Sequence, residues 1–166
     1  MSRVVRAEPL PEGALLRRYD TPGGYVDCYA AEIGSVVSLP ELIAAFYDSP
    51  AFRPERWLIG AALGKRAGSA DVARLAAGEI RAFSAWTVEH RAADQLLLRD
   101  FRRRTRSWLM VEPRGAGTSL RFGSAVVPAR RWLDRMVVRA LMGFHRAYSR
   151  VLLRAAVRRL QARQRQ

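Results

Sequence analysis

Two histidines, one cysteine and scattered carboxylates are the groups in this 166-residue chain that could do acid–base or covalent chemistry. His145 is the best placed. It falls on the apolar stripe of the last helical segment, one turn from Leu141 and close to Tyr148. In a cavity it could exchange a proton near neutral pH. The commoner role for such a residue is a core or cap histidine bonded to a strand. Cys28 could act as a thiolate beside a histidine base. Both histidines are far from it in sequence, so a small buried hydrophobe is the better expectation. Asp27 and Asp100 sit inside strand-like runs, with Arg99, Arg102 and Arg106 as possible partners. Ion pairing on a solvated sheet face is their expected role, ahead of acid–base work. No paired-carboxylate motif joins them. The soft ligands are too few for a structural zinc site, and no Gly-rich dinucleotide fingerprint is present. No cofactor is expected.

The arginines are the other chemical feature. The net charge is +14, and Lys65 is the single lysine among 29 basic residues. That skew fits a coding bias of the source genome better than a binding code. Residues 1–129 carry +4 and residues 130–166 carry +10, from 11 Arg against Asp134. One knot is Arg102, Arg103, Arg104 and Arg106. Another lies in the last turns, with Arg154, Arg158, Arg159 and Arg163. Such density attracts anionic lipid, nucleic acid or an acidic protein surface. The plain alternative is a solvated helix face. No helix-turn-helix, zinc or RNA-binding signature accompanies it.

These groups need elements to position them. A chain that is 49% hydrophobic can fill one core, and a lone cysteine rules out a disulfide scaffold. No uncharged stretch is long enough to span a membrane as a helix. The first residues lack the apolar core of a secretory signal, so a cytoplasmic protein is expected. Residues 1–24 are broken by Pro9, Pro11, Gly13, Pro22, Gly23 and Gly24. They read as an arm, poorly ordered unless it docks on the body. Residues 25–163 read as one domain.

Tyr25–Glu32 reads as a strand. Ser38-Leu-Pro-Glu41 has the form of a capping box opening a helix that Asp48-Ser-Pro50 ends. Glu55–Gly64 reads as a short apolar helix and Ala70–Gly78 as another, capped by Ser69. Strands are then expected over Ala82–Arg91, Asp94–Phe101, Arg106–Glu112 and Thr118–Val127, joined as an antiparallel meander. Period two puts Trp86, Val88 and His90 on one face, and Trp108 and Met110 on one face of their own strand. Asp134–Arg163 is the longest helical pattern, with Val138, Leu141, His145, Tyr148, Leu152 and Ala155 on one stripe. The expected fold is α+β: a curved antiparallel sheet wrapped against a long C-terminal helix, helix-grip-like, with two or three short helices after the first strand.

The segments Asp94–Pro113 (DQLLLRDFRRRTRSWLMVEP), Leu120–Ser124 and Gly143-Phe-His145 leading into Tyr148–Leu153 carry a resemblance. Over roughly residues 24–160 the chain resembles a bacterial family, domain of unknown function 2867, within the START-like, polyketide-cyclase-like (SRPBCC) helix-grip superfamily. That family shows a charged hairpin strand and a long final helix with Phe-His near its first turns. The resemblance implies the fold and leaves the activity open. Three functions are in view. The first is noncatalytic binding of a small hydrophobic or amphipathic molecule between sheet and final helix, lined by Trp86, Trp108, Met110, Leu141, His145 and Tyr148. The second is a cyclase- or hydrolase-like enzyme using His145 in that cavity. The third is docking on an anionic surface through the arginines of the C-terminal helix.

Overall fold

The computed structural model describes residues 4–52, 68–127 and 132–163, with side chains in the last segment from residue 146 onward. The chain folds as an α+β protein with helix-grip-like topology. The described strands are β1 (Arg6–Ala7), β2 (Tyr25–Ile33), β3 (Ala82–Phe83), β4 (Trp86–Arg91), β5 (Gln95–Asp100), β6 (Thr105–Arg114) and β7 (Gly117–Val126). They form one antiparallel sheet in the order β1-β2-β7-β6-β5-β4-β3. The described helices are α1 (Leu39–Tyr47), α2 (Ser69–Ala77) and α3 (Trp132–Arg163), plus one 3-10 turn at Leu15–Tyr19. The helix expected over residues 55–64 lies outside the described residues.

Local chemistry explains the elements. Ser38 caps α1 as a capping box: its backbone N–H donates to Glu41 Oε2 at 2.7 Å, and Glu41 N–H donates back to Ser38 Oγ. At α2 the expected Ser69 cap is corrected. Gly68 is the N-cap, its N–H donating to Asp71 Oδ2 at 2.9 Å, while Ser69 Oγ donates to Asp48 Oδ1 at 2.7 Å. At the other end Gly78 takes φ 81°, and Arg91 from β4 donates to the carbonyls of Leu75 and Ala76. A cation at a helix C-terminus satisfies orphan carbonyls and opposes the helix dipole.

The inner sheet face is apolar: Tyr29, Ala31, Ile33, Leu96, Leu98, Leu109, Val111, Leu120 and Phe122. Helix α1 covers it with Leu42, Ile43, Phe46 and Tyr47, and α3 with Leu152, Leu153, Ala156, Val157 and Leu160. Phe46 meets Phe122 with ring centres 4.6 Å apart. Tyr47 is fully buried, and its hydroxyl is satisfied by Ser107 Oγ at 2.8 Å.

The outer face is apolar too. Cys28, Leu97, Trp108, Met110 and Ala125 form a second cluster with Leu10, Ala14, Leu15, Leu16 and Tyr19 from residues 10–19. The N-terminal arm is the cover of this face, and it also supplies β1. Register explains the fit. Cys28, Gly123, Trp108 and Leu97 are successive cross-strand partners. A Cβ on Gly123 would lie 2.8 Å from Leu16 Cδ2 and 2.9 Å from Trp108 Cε3. The missing side chain lets the indole and the arm lie flat on the sheet.

Two strand expectations need correction. The run from Ala82 is interrupted by a turn at Ser84, which takes φ 53°, so β3 and β4 are separate strands. A bulge between Val88 and His90 then breaks the period of two. Trp86 and Val88 pack on the inner cluster, but His90 pairs with Leu97 of the outer cluster and is exposed.

Candidate functional site

The six residues expected to line one cavity do not come together. Trp86 is on the inner face. Trp108 and Met110 are on the outer face, beneath the arm. Strand parity could not reveal this, because both faces of β5 and β6 are apolar and each has its own cover. The side chains of Leu141 and His145 lie outside the described residues. Tyr148 is half-buried against the inner cluster, and its hydroxyl donates to Ala51 O at 3.4 Å. The C-terminal half of α3 meets the sheet and α1 through Leu152, Leu153, Ala156 and Val157, all nearly fully buried. Open space lies on the flank of that helix instead.

A groove of about 620 Å³ runs there between α3 and the turn after α1, lined by Pro50, Ala51, Val151, Arg154, Ala155, Arg158 and Arg159. The turn is fastened in place. Arg159 donates to Asp48 O at 2.6 Å and pairs with Asp48 Oδ2 at 2.5 Å. Phe52 N–H donates to Ser49 O at 3.0 Å, and the Phe52 ring packs edge-on to Tyr47 at 5.0 Å. Tyr148 holds Ala51 from α3. The wall opposite the helix is therefore preorganised, which lowers the cost of ordering it on binding.

The floor and walls are small and apolar: Pro50, Ala51, Ala155 and Val151, which is 48% exposed. Arg154 and Arg158 stand exposed at the rim. Neither meets a carboxylate among the described residues. The seven expected anion-binding arginines thus divide. Arg154 and Arg158 border the groove, Arg159 is committed to Asp48, and Arg163 is exposed in the last turn of α3. Arg102, Arg103 and Arg104 are exposed at the β5–β6 turn, a different element. Asp100 builds that turn by accepting from the N–H groups of Arg104 and Thr105 at 2.7 and 3.0 Å. Arg106 is buried and does not belong to the exposed knot.

The sequence did not mark Pro50, Ala51 or Val151 as lining residues, and it placed Ala155 on the core stripe, where the structure leaves it half-buried at the groove. Val151 lies three and four residues before Arg154 and Ala155, so it shares their flank of the helix, away from Leu152 and Leu153.

Among the described residues, the groove lining carries no nucleophile and no general acid or base. Cys28 is 4% exposed, and burial pushes its thiol up to about 12, which keeps it a neutral hydrophobe. The fold keeps the thiol proton that the unfolded chain loses near its ordinary value of 9. Stability is therefore full below pH 9 and falls as pH rises toward 12. By pH 10 the loss from this group is about 1.4 kcal/mol. Urea titrations from pH 8 to 10 should show this slope, and C28A should flatten it. An equal slope in both proteins would overturn the assignment.

Among the described residues no cluster of His, Cys, Asp and Glu could hold a metal ion, and no helix is long and apolar enough to cross a membrane. No family model, curated protein or solved structure matches this chain.

Proposed function

We propose that this protein binds a small amphipathic molecule with an anionic head, without catalysis, in the groove between α3 and Pro50–Ala51. One observation carries the proposal: a preorganised apolar groove whose rim bears two guanidiniums that meet no carboxylate among the described residues. An alkyl chain gains by covering Val151, Ala155, Pro50 and Ala51, at roughly 25 cal/mol per Å² of apolar surface removed from water. A carboxylate or phosphate head gains charge-assisted hydrogen bonds from Arg154 and Arg158. The groove volume falls within the range of ordinary small-molecule sites. The START-like resemblance of the sequence agrees with a binding role, and kinship with that superfamily is part of the proposal.

Calorimetric titration with decanoate below its micelle concentration, and with decanol, tests this. Decanoate should bind at least about tenfold more tightly than decanol, a difference of about 1.4 kcal/mol. The R154Q/R158Q protein should lose that preference while keeping its melting temperature, since both side chains are exposed. V151D should weaken both ligands. Equal affinity for decanoate and decanol, or binding of neither, would sink the proposal.

A further inference from the structure

We propose a second site at the open end of β2, where Arg17, Arg146 and Arg150 together bind a small multiply charged oxyanion of the phosphate class. It shares no residue with the groove described above.

The site exists because β1 is short. It pairs with β2 at Ala30 and Tyr29 alone, and Glu8 N–H then donates to Cys28 O at 3.0 Å before Pro9 turns the arm away. The N-terminal end of β2 is left as one wall of a pocket of about 460 Å³. The arm and Arg17 of the 3-10 turn form a second wall, and Arg146 and Arg150 of α3 form the third.

The α3 arginines are positioned rather than loose. The Arg146 guanidinium lies 5.7 Å from the Tyr25 ring centre, and its Nε donates to Tyr25 Oη at 3.3 Å. Arg150 lies 5.4 Å from the Tyr29 ring centre. Stacking over aromatic faces fixes such cations without neutralising them. The hydrogen bond to Tyr25 uses Nε, so the two Nη groups of Arg146 are not spent on it. Arginine forks match tetrahedral phosphate and planar carboxylate oxygens.

Three acidic groups line the pocket, Glu8, Asp20 and Asp27. Asp27 accepts from Ser124 N–H at 2.9 Å, Ser124 Oγ at 2.6 Å and Tyr25 Oη at 2.9 Å. Glu8 faces Arg121 at 3.6 Å and Arg6 at 3.9 Å. Asp20 remains, exposed just after the 3-10 turn. Tyr25 stays a neutral phenol because burial pushes it up to about 12. Among the described residues, the guanidiniums of Arg17, Arg146 and Arg150 face the carboxylates of Asp20 and Asp27, the latter still charged because Ser124 and Tyr25 are neutral donors, and the net positive balance favours an anion. Walls on three sides select a small one over a duplex.

Isothermal titration with inorganic pyrophosphate and with chloride, at matched ionic strength, tests the site. Pyrophosphate should bind measurably and chloride should not. R146Q/R150Q should lose at least about tenfold in pyrophosphate affinity. R154Q/R158Q should retain wild-type affinity for it, and R146Q/R150Q should retain decanoate binding, so this site and the groove fail separately. The melting temperature of R146Q/R150Q without ligand should stay close to wild type, because both side chains are exposed. Equal pyrophosphate affinity in the two double variants, or no binding to the wild-type protein, would overturn the proposal.

Discussion

W108A should destabilise the protein by about 3–5 kcal/mol, the usual cost of emptying a large aromatic site. Trp108 is fully buried, and its indole lies over Gly123 between Leu97, Cys28 and Leu16. A glycine neighbour cannot swing a side chain into the void, so the site collapses poorly. The effect also reaches the arm. Trp108 Nε1 donates to Gln95 Oε1 at 2.9 Å, and the same oxygen accepts from Leu15 N–H at 2.9 Å. Gln95 Nε2 donates to Gly13 O at 3.2 Å. Losing the indole frees Gln95 to move and weakens the seat of residues 13–16. Urea denaturation should show the stability loss, and limited proteolysis should show faster cleavage near Gly13. A change under 1 kcal/mol with an unchanged cleavage rate would mean that the arm does not depend on this cluster.

The same region shows what could be read from residues alone. The capping box at Ser38, the hairpins from β4 to β7 and the length of α3 follow from local signals: a cap spacing, turn residues and a 3.6-residue period. Those signals stop at the question of which cover meets which face. Strand β5 carries three leucines in a row, so alternation cannot mark a solvated side. The arm contributes Leu10, Leu15 and Leu16 from a segment without any period, and its docking depends on the glycine gap at Gly123, far away in sequence but directly beneath Leu16. Charge was legible in sum but not in allocation. Arg154 and Arg158 face solvent, Arg159 holds a turn, and Arg106 is buried, although all four look alike in sequence. The groove eluded periodicity because one wall is a turn and its floor is the outer face of a core helix.

Arg106 gives the second large effect. Its side chain is 8% exposed on the outer face, with Nε 2.7 Å from Glu89 Oε2. That contact is an ion pair without good hydrogen-bond alignment, so charge attraction is its main term. The guanidinium lies 4.4 Å from the Tyr19 ring centre, and Tyr19 donates its hydroxyl to the other Glu89 oxygen. Nη1 donates to Arg103 O at 2.9 Å and Thr105 O at 3.2 Å. Glu89 is therefore the counter-charge of a buried cation and an anchor for the arm. E89Q preserves the shape but strands that cation, and should cost about 3–5 kcal/mol. Removing both charges should cost less than removing one, because the desolvation penalty disappears with the second cation. A thermodynamic cycle of E89L, R106L and E89L/R106L, measured by urea denaturation, reads the difference. The double variant should be more stable than E89L alone. If E89L alone is as stable as the wild type, Arg106 gains nothing from the pair. If the double variant is less stable than E89L, the guanidinium's stacking on Tyr19 and its carbonyl contacts outweigh the cost of burying its charge.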